Sequence, residues 1–503
     1  MRKRSGNSKW LAFAILAATV VGAGDALAAK DLFVVDLASE PATLDPQLQW
    51  SPDTYFVYRN VFDNLLTRDD DGKIAPQVAS SWKQIDASTI EFQLQPGIKF
   101  HDGTALTADD VVYTVKRITD PAFKSPQLDQ FNKIVGAEAV DAKTVRLKTD
   151  GPYPVLLAQL TKLSIIPKAY VEKVGGEQFN VNPMGSGPYK FASLQRGVRV
   201  ALARNDAYWG AKGPFAQVEF HPVPEVATRI ADLRSGKADF IVTINSDLAK
   251  ELKSDPKVKV LSVLSERVAY FQLNSLVGPT ADLRIRQAIA HAIDREGIIN
   301  GIMGGFDKPV TVMLSPVHVG YVDGFKGYAY DKAKAQALIK EAGEPAKAPL
   351  TLFTAPIFDQ RIVQAIQQML TEVGLKVNIE TSDFTAWLKR AQSGPAEFGA
   401  MTFSRWSCGC QDADGVLFPL LYSKSQWSKS SNPEIDKELE AARSTVDESA
   451  RLPHYKRVYQ LAEETVPLVP LYQAAILYAA RKELRWRPTP NESLFLNRMG
   501  WDE

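Results

Sequence analysis

The chain has 503 residues, of which 45% are hydrophobic and 23% are charged, a balance typical of folded globular proteins rather than disordered ones. With 59 basic and 58 acidic residues, it lacks the basic excess that nucleic-acid binding favours, so the composition gives no support for nucleic acid as a partner. A chain of this length exceeds what one hydrophobic core organises, and we expect at least two lobes.

Residues 1–29 have the pattern of a cleavable secretory signal peptide. A basic segment precedes an apolar run, and small residues suited to cleavage follow near Ala28 and Ala29. The alternative is a membrane anchor, but the apolar run is shorter than the roughly 20 residues that span a bilayer. No cysteine stands at the end of the run. We therefore expect a soluble periplasmic protein without a lipid anchor.

The first half of the mature chain predicts a mixture of strands and helices. An apolar run at residues 30–39 and another at residues 88–100 favour strands, and residues 58–66 favour a helix. Thr107 and Asp110 have the spacing of a capping box, which predicts that a helix begins after Thr107.

Residues 184–190, Met-Gly-Ser-Gly-Pro-Tyr-Lys, form a glycine-rich loop before a predicted hairpin. The loop lacks the lysine and hydroxyl spacing of a phosphate-binding loop and fails as a dinucleotide fingerprint. We interpret it as a turn at which backbone approaches backbone.

The second half predicts a parallel α/β arrangement. Residues 281–303 favour one helix. Residues 349–355 and 375–383 favour strands on either side of a helix that ends at Gly374. This strand–helix–strand order is typical of a parallel sheet.

Signatures of catalysis are lacking. The five histidines of the chain form no His-Glu-x-x-His helix, and no Gly-x-Ser-x-Gly turn is present. The sequence therefore gives no positive reason to expect an enzyme, a resident metal or a cofactor, although an enzyme with scattered catalytic residues, or a sensory receptor, stays open as an alternative.

Five segments together resemble one protein family. They are residues 43–50, 60–82, 99–118, 185–191 and 269–296. In this order, behind a signal peptide, they are similar to the extracellular solute-binding proteins of family 5, which include the dipeptide- and oligopeptide-binding components of bacterial ABC importers.

The resemblance implies an α/β fold of two lobes that close around a ligand, with an extra subdomain on the N-terminal lobe. We place the two chain crossings between lobes near residues 266–269 and 477–480. The first lobe then comprises residues 30–267 and 479–503, and the second comprises residues 268–478. The resemblance also implies a monomer that delivers a small solute to an ABC permease complex at the inner membrane.

The loop at residues 404–415 carries the only two cysteines, Cys408 and Cys410. For these cysteines, a disulfide, a metal site and two free thiols stay open. In peptide-binding members, an aromatic residue is followed three residues later by an aspartate that pairs with the ligand's amino group. The resemblance matches the aromatic residue to Trp406, but Gly409 stands where the aspartate would be.

The resemblance therefore implies that this loop contacts the ligand and that the usual amine partner has changed. Candidate replacements are Asp412 and Asp414, with loop capping as the alternative. Arg361 and Arg405 are candidates for holding an anionic group, since arginine binds carboxylates with two parallel hydrogen bonds. Tyr270 is a further candidate, on the strand just past the first crossing. The expected ligand is a peptide or peptide-like solute, and an opine, an oligosaccharide or a metal chelate stays open.

Overall fold

The structure, a computed structural model, describes residues 31–48 and 52–502. The predicted signal peptide lies outside these residues. The strands of the described residues are β1 (Leu32–Leu37), β2 (Leu66–Arg68), β3 (Ile74–Pro76), β4 (Ala79–Asp86), β5 (Thr89–Leu94), β6 (Ile134–Asp141), β7 (Thr144–Thr149), β8 (Tyr189–Gln195), β9 (Arg199–Arg204), β10 (Gln217–Pro222), β11 (Phe240–Ile241), β12 (Val258–Leu273), β13 (Lys308–Pro309), β14 (Leu350–Thr354), β15 (Val377–Thr381), β16 (Met401–Trp406), β17 (Leu468–Arg481), β18 (Leu484–Arg485) and β19 (Gly500–Trp501).

The helices of the same residues are α1 (Pro52–Val61), α2 (Ala108–Thr119), α3 (Leu128–Phe131), α4 (Leu156–Leu160), α5 (Lys168–Val174), α6 (Gly176–Val181), α7 (Val226–Ser235), α8 (Ser246–Leu252), α9 (Leu283–Ala292), α10 (Arg295–Gly301), α11 (Lys332–Ala342), α12 (Glu344–Lys347), α13 (Gln360–Glu372), α14 (Phe384–Ala391), α15 (Pro395–Phe398), α16 (Asp414–Leu421), α17 (Pro433–Arg443) and α18 (Glu448–Thr465). Short 3₁₀ turns occupy Pro121–Phe123, Pro279–Ala281 and Leu496–Arg498.

Two long antiparallel strands, β12 and β17, form the centre of the main sheet. The sheet order is β15-β14-β16-β12-β17-β11-β1-β10-β9-β8. Residues 258–264 of β12 pair with residues 475–481 of β17, and residues 268–272 pair with residues 468–473. Strands β11, β1, β10, β9 and β8 extend the sheet on the β17 side, and β16, β14 and β15 extend it on the β12 side. Each half of the strand pair thus belongs to a different lobe.

A bulge at residues 265–267 interrupts the pairing of β12 and β17. Side-chain hydrogen bonds hold the bulge: the carbonyl of Ser265 accepts from Gln473 Nε2 at 2.6 Å, and the Ser265 hydroxyl donates to the carbonyl of Ala474 at 2.7 Å. The predicted first crossing contains part of this bulge. The residue opposite it in β17 is Ala474, whereas the predicted second crossing, residues 477–480, pairs with residues 259–262. The exact lobe boundaries stay a prediction.

Separate hydrophobic cores stabilise the two lobes. In the first lobe, β1 and β10 pack with α1 around side chains such as Phe33 and Phe220. In the second lobe, β14, β15 and β16 pack with α9, α11 and α13 on one face, around residues such as Phe353 and Ile366. Helices α16, α17 and α18 cover the other face.

The strands β4, β5, β7 and β6 form a four-stranded sheet of their own. Helix α2 packs against this sheet and shares its core, which includes Phe92 and Val111. The capping box predicted at the start of α2 is confirmed, because the side chains of Thr107 and Asp110 both make the expected bonds. The separate sheet supports the predicted extra subdomain, which stays a prediction.

Two predicted helices have different bounds in the structure. The helix predicted at residues 58–66 ends at Val61, because the following residues pair with another segment: Asn64 forms a β-bridge with Ser164. The single helix predicted at residues 281–303 is two helices. The chain becomes extended at Ile293, and the side chain of Asp294 then caps α10 by accepting from the backbone N–H of Gly297 at 2.8 Å.

Two of the family-like segments, residues 60–82 and 185–191, meet at the buried carboxylate of Asp63. Its oxygens accept four hydrogen bonds of 2.9–3.0 Å, from Gln77, Ser186, Tyr208 and Trp209. The glycine-rich loop can approach this point because Gly185 and Gly187, on either side of Ser186, have no side chains. A Cβ at Gly185 would lie 2.1 Å from the carbonyl oxygen of Val61, which confirms the interpretation of the loop as a close backbone approach.

Replacing Asp63 with asparagine is expected to destabilise the first lobe by about 2–4 kcal/mol, because an amide NH₂ group would face donors that have no other acceptor. Urea denaturation of the mature chain measures the change. Asp150→Asn is the matched control, since that side chain is 71% exposed. An unchanged denaturation midpoint for Asp63→Asn would contradict the proposed role of this carboxylate.

Candidate functional site

A small charged cavity lies between the two lobes, beside the bulge of β12. Its volume is about 40 Å³, enough for a few water molecules. Its walls come from α1, the loop after α4, the crossing strand, the loop after β16 and the C-terminal segment; the lining residues are Tyr55, Lys162, Glu266, Arg267, Ser407, Gly409, Asn491 and Glu492. Two acids and two bases thus share one cavity.

A second cavity of about 50 Å³ lies within the second lobe and is lined mainly by apolar residues such as Met313, Phe325 and Leu417. Its walls include no residue of the first lobe. A movement of one lobe against the other therefore does not open or close it, and we take the interlobe cavity as the candidate site.

Glu266 and Arg267, in the bulge, supply adjacent opposite charges. Glu266 is 4% exposed. Its Oε1 accepts from the Ser407 hydroxyl at 2.7 Å, and its Oε2 has no hydrogen-bond partner among the residues that the structure describes. Arg267 pairs with Glu492 at 2.6 Å. Burial raises the pKa of the Glu492 carboxyl, and the charge of Arg267 opposes that rise.

Lys162 brings a positive charge to the same cavity from the loop that follows α4. It is buried, and its Nζ donates to the side-chain carbonyl of Gln130 at 3.2 Å. Burial lowers the pKa of Lys162 to about 8, while the nearby charge of Glu266 acts in the opposite direction. A negative ligand group beside Lys162 would favour its charged form.

Arg68 links the lobes next to the cavity. Its guanidinium donates to the carbonyl of Cys410 in the second lobe and to the carbonyl of Gly72 in the first, both at 2.6 Å. Burial lowers the pKa of Arg68 to about 10, so the group stays charged at neutral pH.

The cysteine loop reaches the cavity through Ser407 and Gly409. Of the three states left open by the sequence, the structure has the disulfide: Cys408 and Cys410 are bonded, with Cα atoms 5.0 Å apart. Gly415 packs against both sulfur atoms, since a Cβ there would lie 2.2 Å from Cys408 Sγ. The disulfide therefore packs into the second lobe rather than facing the cavity.

The structure does not bring the side chain of Trp406 to the cavity. The ring packs edge-on against Trp427, with centroids 5.1 Å apart, and its Nε1 donates to the carbonyl of Gly415 at 2.9 Å. Tyr270 is buried in the core of the second lobe. A ligand contact of either residue stays a prediction.

Asp412 and Asp414 are both engaged within the second lobe. The carboxylate of Asp412 forms two hydrogen bonds with Arg451, at 2.6 and 2.8 Å, and both side chains are buried. Asp414 makes a similar pair with Arg443, at 2.8 Å for both bonds, but the arginine is 37% exposed. Neither carboxylate lines the cavity, and the predicted role of each in ligand binding stays untested.

Arg361 and Arg405 lie outside the cavity lining as well. Arg361 pairs with Asp359 of its own lobe at 2.6 Å and with Asp247, at the start of α8 in the first lobe, at 2.7 Å. It is half-exposed and forms a bridge between the lobes at the surface. Arg405 is exposed. Burial raises the pKa of Asp307 to about 6, and the charge of Arg405 opposes part of that rise. The pKa of Asp359 is lowered mainly by its hydrogen bonds with Arg361, with a smaller contribution from the charge of Arg405. Their predicted anion binding stays a prediction.

None of the charged residues of the cavity is among the predicted site residues, but one feature of the sequence could have indicated two of them. Glu266 and Arg267 are an adjacent acid and base at the predicted first crossing, and a two-lobed protein binds its ligand between its lobes. Lys162 and Glu492 carry no comparable local signal, because their positions depend on how distant loops pack. Within the described ranges, no cluster of three or more histidine, cysteine or acidic side chains is arranged to hold a metal ion, and no helix has the length and hydropathy needed to cross a membrane.

Replacing each loop aspartate with asparagine separates a packing role from a ligand-binding role. Asp412→Asn leaves Arg451 charged and buried without a counter-ion, so we expect a loss of about 3–5 kcal/mol in unfolding free energy. Asp414→Asn affects a partly exposed pair and is expected to lose at most about 1 kcal/mol. Urea denaturation measures both. Equal, small losses combined with weaker ligand binding would instead support the ligand-binding role.

Comparisons with known proteins agree with this architecture. The glutathione-binding protein GsiB of Pectobacterium atrosepticum is 29% identical over 492 residues, which cover 95% of each chain. The substrate-binding protein CtaP of Listeria monocytogenes matches with a TM-score of 0.87 at 24% identity, over 94% of this chain and 100% of that one. The periplasmic binding protein DppA of Helicobacter pylori, in complex with the peptide STSA, matches with a TM-score of 0.77 at 25% identity, over 94% of this chain and 99% of that one.

The fold is thus that of the periplasmic binding proteins, as predicted. The family model for bacterial extracellular solute-binding proteins, family 5, matches residues 73–428, well over half of the chain. The chain belongs to family 5 of the bacterial extracellular solute-binding proteins.

Proposed function

We propose that this solute-binding protein captures a small peptide-like solute in the interlobe cavity and delivers it to an ABC permease complex at the inner membrane. The observation that carries the proposal is the charge content of the cavity wall, where Lys162 and Arg267 face the same space as Glu266 and Glu492. Peptides at neutral pH carry an ammonium group and a carboxylate, so a wall of mixed sign matches them.

Binding requires the lobes to separate. A cavity of about 40 Å³ is far smaller than the roughly 300–1,000 Å³ of pockets that enclose small organic ligands. The bulge of β12 is the natural hinge, because three residues of β12 are unpaired there, whereas the smaller irregularity between Ala269 and Tyr270 leaves no residue of β12 unpaired. Opening about this point admits the solute, and closing surrounds it.

The similar proteins support a peptide-like ligand: one is named for glutathione binding and another holds a short peptide. Glutathione is a tripeptide with an ammonium group and two carboxylates. Delivery to the permease, a periplasmic location after removal of the signal peptide, and a monomeric state complete the proposal. The proposed function includes no catalytic step.

Thermal unfolding of the mature chain against a ligand panel tests the proposal. The panel contains S-methylglutathione, dialanine, trialanine, an opine, a maltooligosaccharide and a nickel–histidine chelate. S-methylglutathione is used because its blocked thiol cannot reduce the Cys408–Cys410 disulfide. A ligand at 100 times its Kd stabilises the folded chain by about 2.7 kcal/mol, which raises the unfolding midpoint by a few degrees. We expect a shift with the peptides. A shift with the opine, sugar or chelate alone would overturn the peptide-like ligand.

Lys162 is expected to take up protons when a ligand carboxylate binds beside it. Its pKa of about 8 leaves it half neutral at pH 8, and a carboxylate raises that pKa and restores the charge. Titration calorimetry with S-methylglutathione in two buffers of different ionisation enthalpy should therefore show uptake of about 0.4 proton at pH 8 and none near pH 6, where Lys162 is already charged.

The control for this measurement is Lys162→Met, which removes the titrating group and keeps the length of the side chain. The proton uptake at pH 8 should be lost in that variant. Uptake that persists in Lys162→Met belongs to another group and would contradict the assignment.

A further inference from the structure

Glu266 differs from the other charged residues of the cavity in having a carboxylate oxygen that nothing satisfies. Oε1 accepts from the Ser407 hydroxyl at 2.7 Å, whereas Oε2 is buried without a hydrogen-bond partner. A buried, unsatisfied carboxylate oxygen is destabilising, since it loses its water without gaining a donor. Such a group calls for an explanation.

The positively charged side chains near Glu266 form their hydrogen bonds with other groups. Arg267, the next residue, pairs with Glu492 at 2.6 Å. The two terminal nitrogens of Arg68 donate to backbone carbonyls at 2.6 Å. Lys162 is close enough for its charge and that of Glu266 to interact, and its Nζ donates to Gln130. None of these contacts supplies a donor to Oε2.

The cysteine loop lines the same cavity as this carboxylate. Gly409 lines the same cavity without a side chain, and the neighbouring Ser407 fixes the orientation of Glu266 through its bond to Oε1. The disulfide on either side of Gly409 holds that wall in place. Glu266 is therefore an acid that lines the cavity, with one oxygen held by Ser407 and the other available to a donor.

We propose that Glu266 is the specificity-determining residue that recognises the ammonium group of the ligand, through a charge-assisted hydrogen bond to Oε2. This inference rests on the proposed function and adds to it the class of solute: one with a free primary ammonium group, in preference to an acylated or deaminated one. The acid comes from the crossing strand, so the bond forms where the lobes hinge.

The test is a protein-by-ligand cycle measured by titration calorimetry. The probes are S-methylglutathione and its glutaryl analogue, which lacks only the α-ammonium group. The wild-type chain is expected to bind the first roughly 30-fold or more tightly than the second, the size typical of a buried charged partner. Glu266→Gln keeps the acceptor for Ser407 and should bind both probes with Kd values within about threefold of each other.

Two further variants keep the test interpretable. Glu266→Asp retains the charge one methylene further back and should keep part of the discrimination, which a merely structural role would not predict. Glu483→Gln, at a half-exposed acid of the first lobe, should behave like the wild type. Urea denaturation of each variant confirms that it is folded.

The outcomes separate the two proposals. If the wild type binds S-methylglutathione and Glu266→Gln keeps the wild-type ratio, or if the wild type binds both probes alike, the role of Glu266 is overturned and the capture function stands. If the wild type binds neither these probes nor any peptide of the panel, the peptide-like function fails and the role of Glu266 fails with it.

Discussion

The pairing of β12 with β17 is the interaction on which the rest of the structure depends. These are the strands that run from one lobe into the other, and they pair on both sides of the bulge at residues 265–267, with a smaller irregularity between Ala269 and Tyr270. Because each half of the ladder is integrated into the sheet of its own lobe, each lobe can move as a unit. The bulge is the longest interruption of this ladder, so bending there breaks few ladder hydrogen bonds.

The same bulge positions the charges of the cavity. In a regular strand, consecutive side chains point to opposite faces of the sheet. At the bulge this alternation is disturbed, and both Glu266 and Arg267 line the cavity. A hinge and a binding wall thus share one irregularity of the backbone. Ligand contacts made at this point act directly on the equilibrium between open and closed lobes.

Away from the cavity, the buried carboxylates of Asp412 and Asp63 have hydrogen-bond partners for both oxygens. The pair of Asp412 and Arg451 is fully enclosed in the second lobe, and the carboxylate of Asp63 is satisfied by four donors in the first. Such saturated groups fix loop geometry. Glu266, by contrast, lines the cavity and keeps one oxygen without a partner among the described residues.

The sequence predicted the fold well because fold depends on patterns that extend over many residues. The α/β order, the parallel strands β14 and β15 and the capping box of α2 all follow from periodicity and capping. The site was harder to predict. The acids of the cysteine loop are conspicuous in the sequence, but the arginines that pair with them are Arg443 and Arg451, on helices α17 and α18. No local sequence pattern predicts those pairs.

The charges of the cavity also explain why a ligand that carries charge of only one sign is a poor match. Arg267 and Glu492 neutralise each other across the wall, so the remaining preference is set by Glu266 and Lys162. A ligand with only a carboxylate would be attracted by Lys162 but repelled by Glu266 in a space of low dielectric constant, where such repulsion is strong. A zwitterion satisfies both groups at once. Closure of the lobes around it removes water from four charges without leaving any of them unpaired, whereas closure around an anion leaves Glu266 buried and unsatisfied.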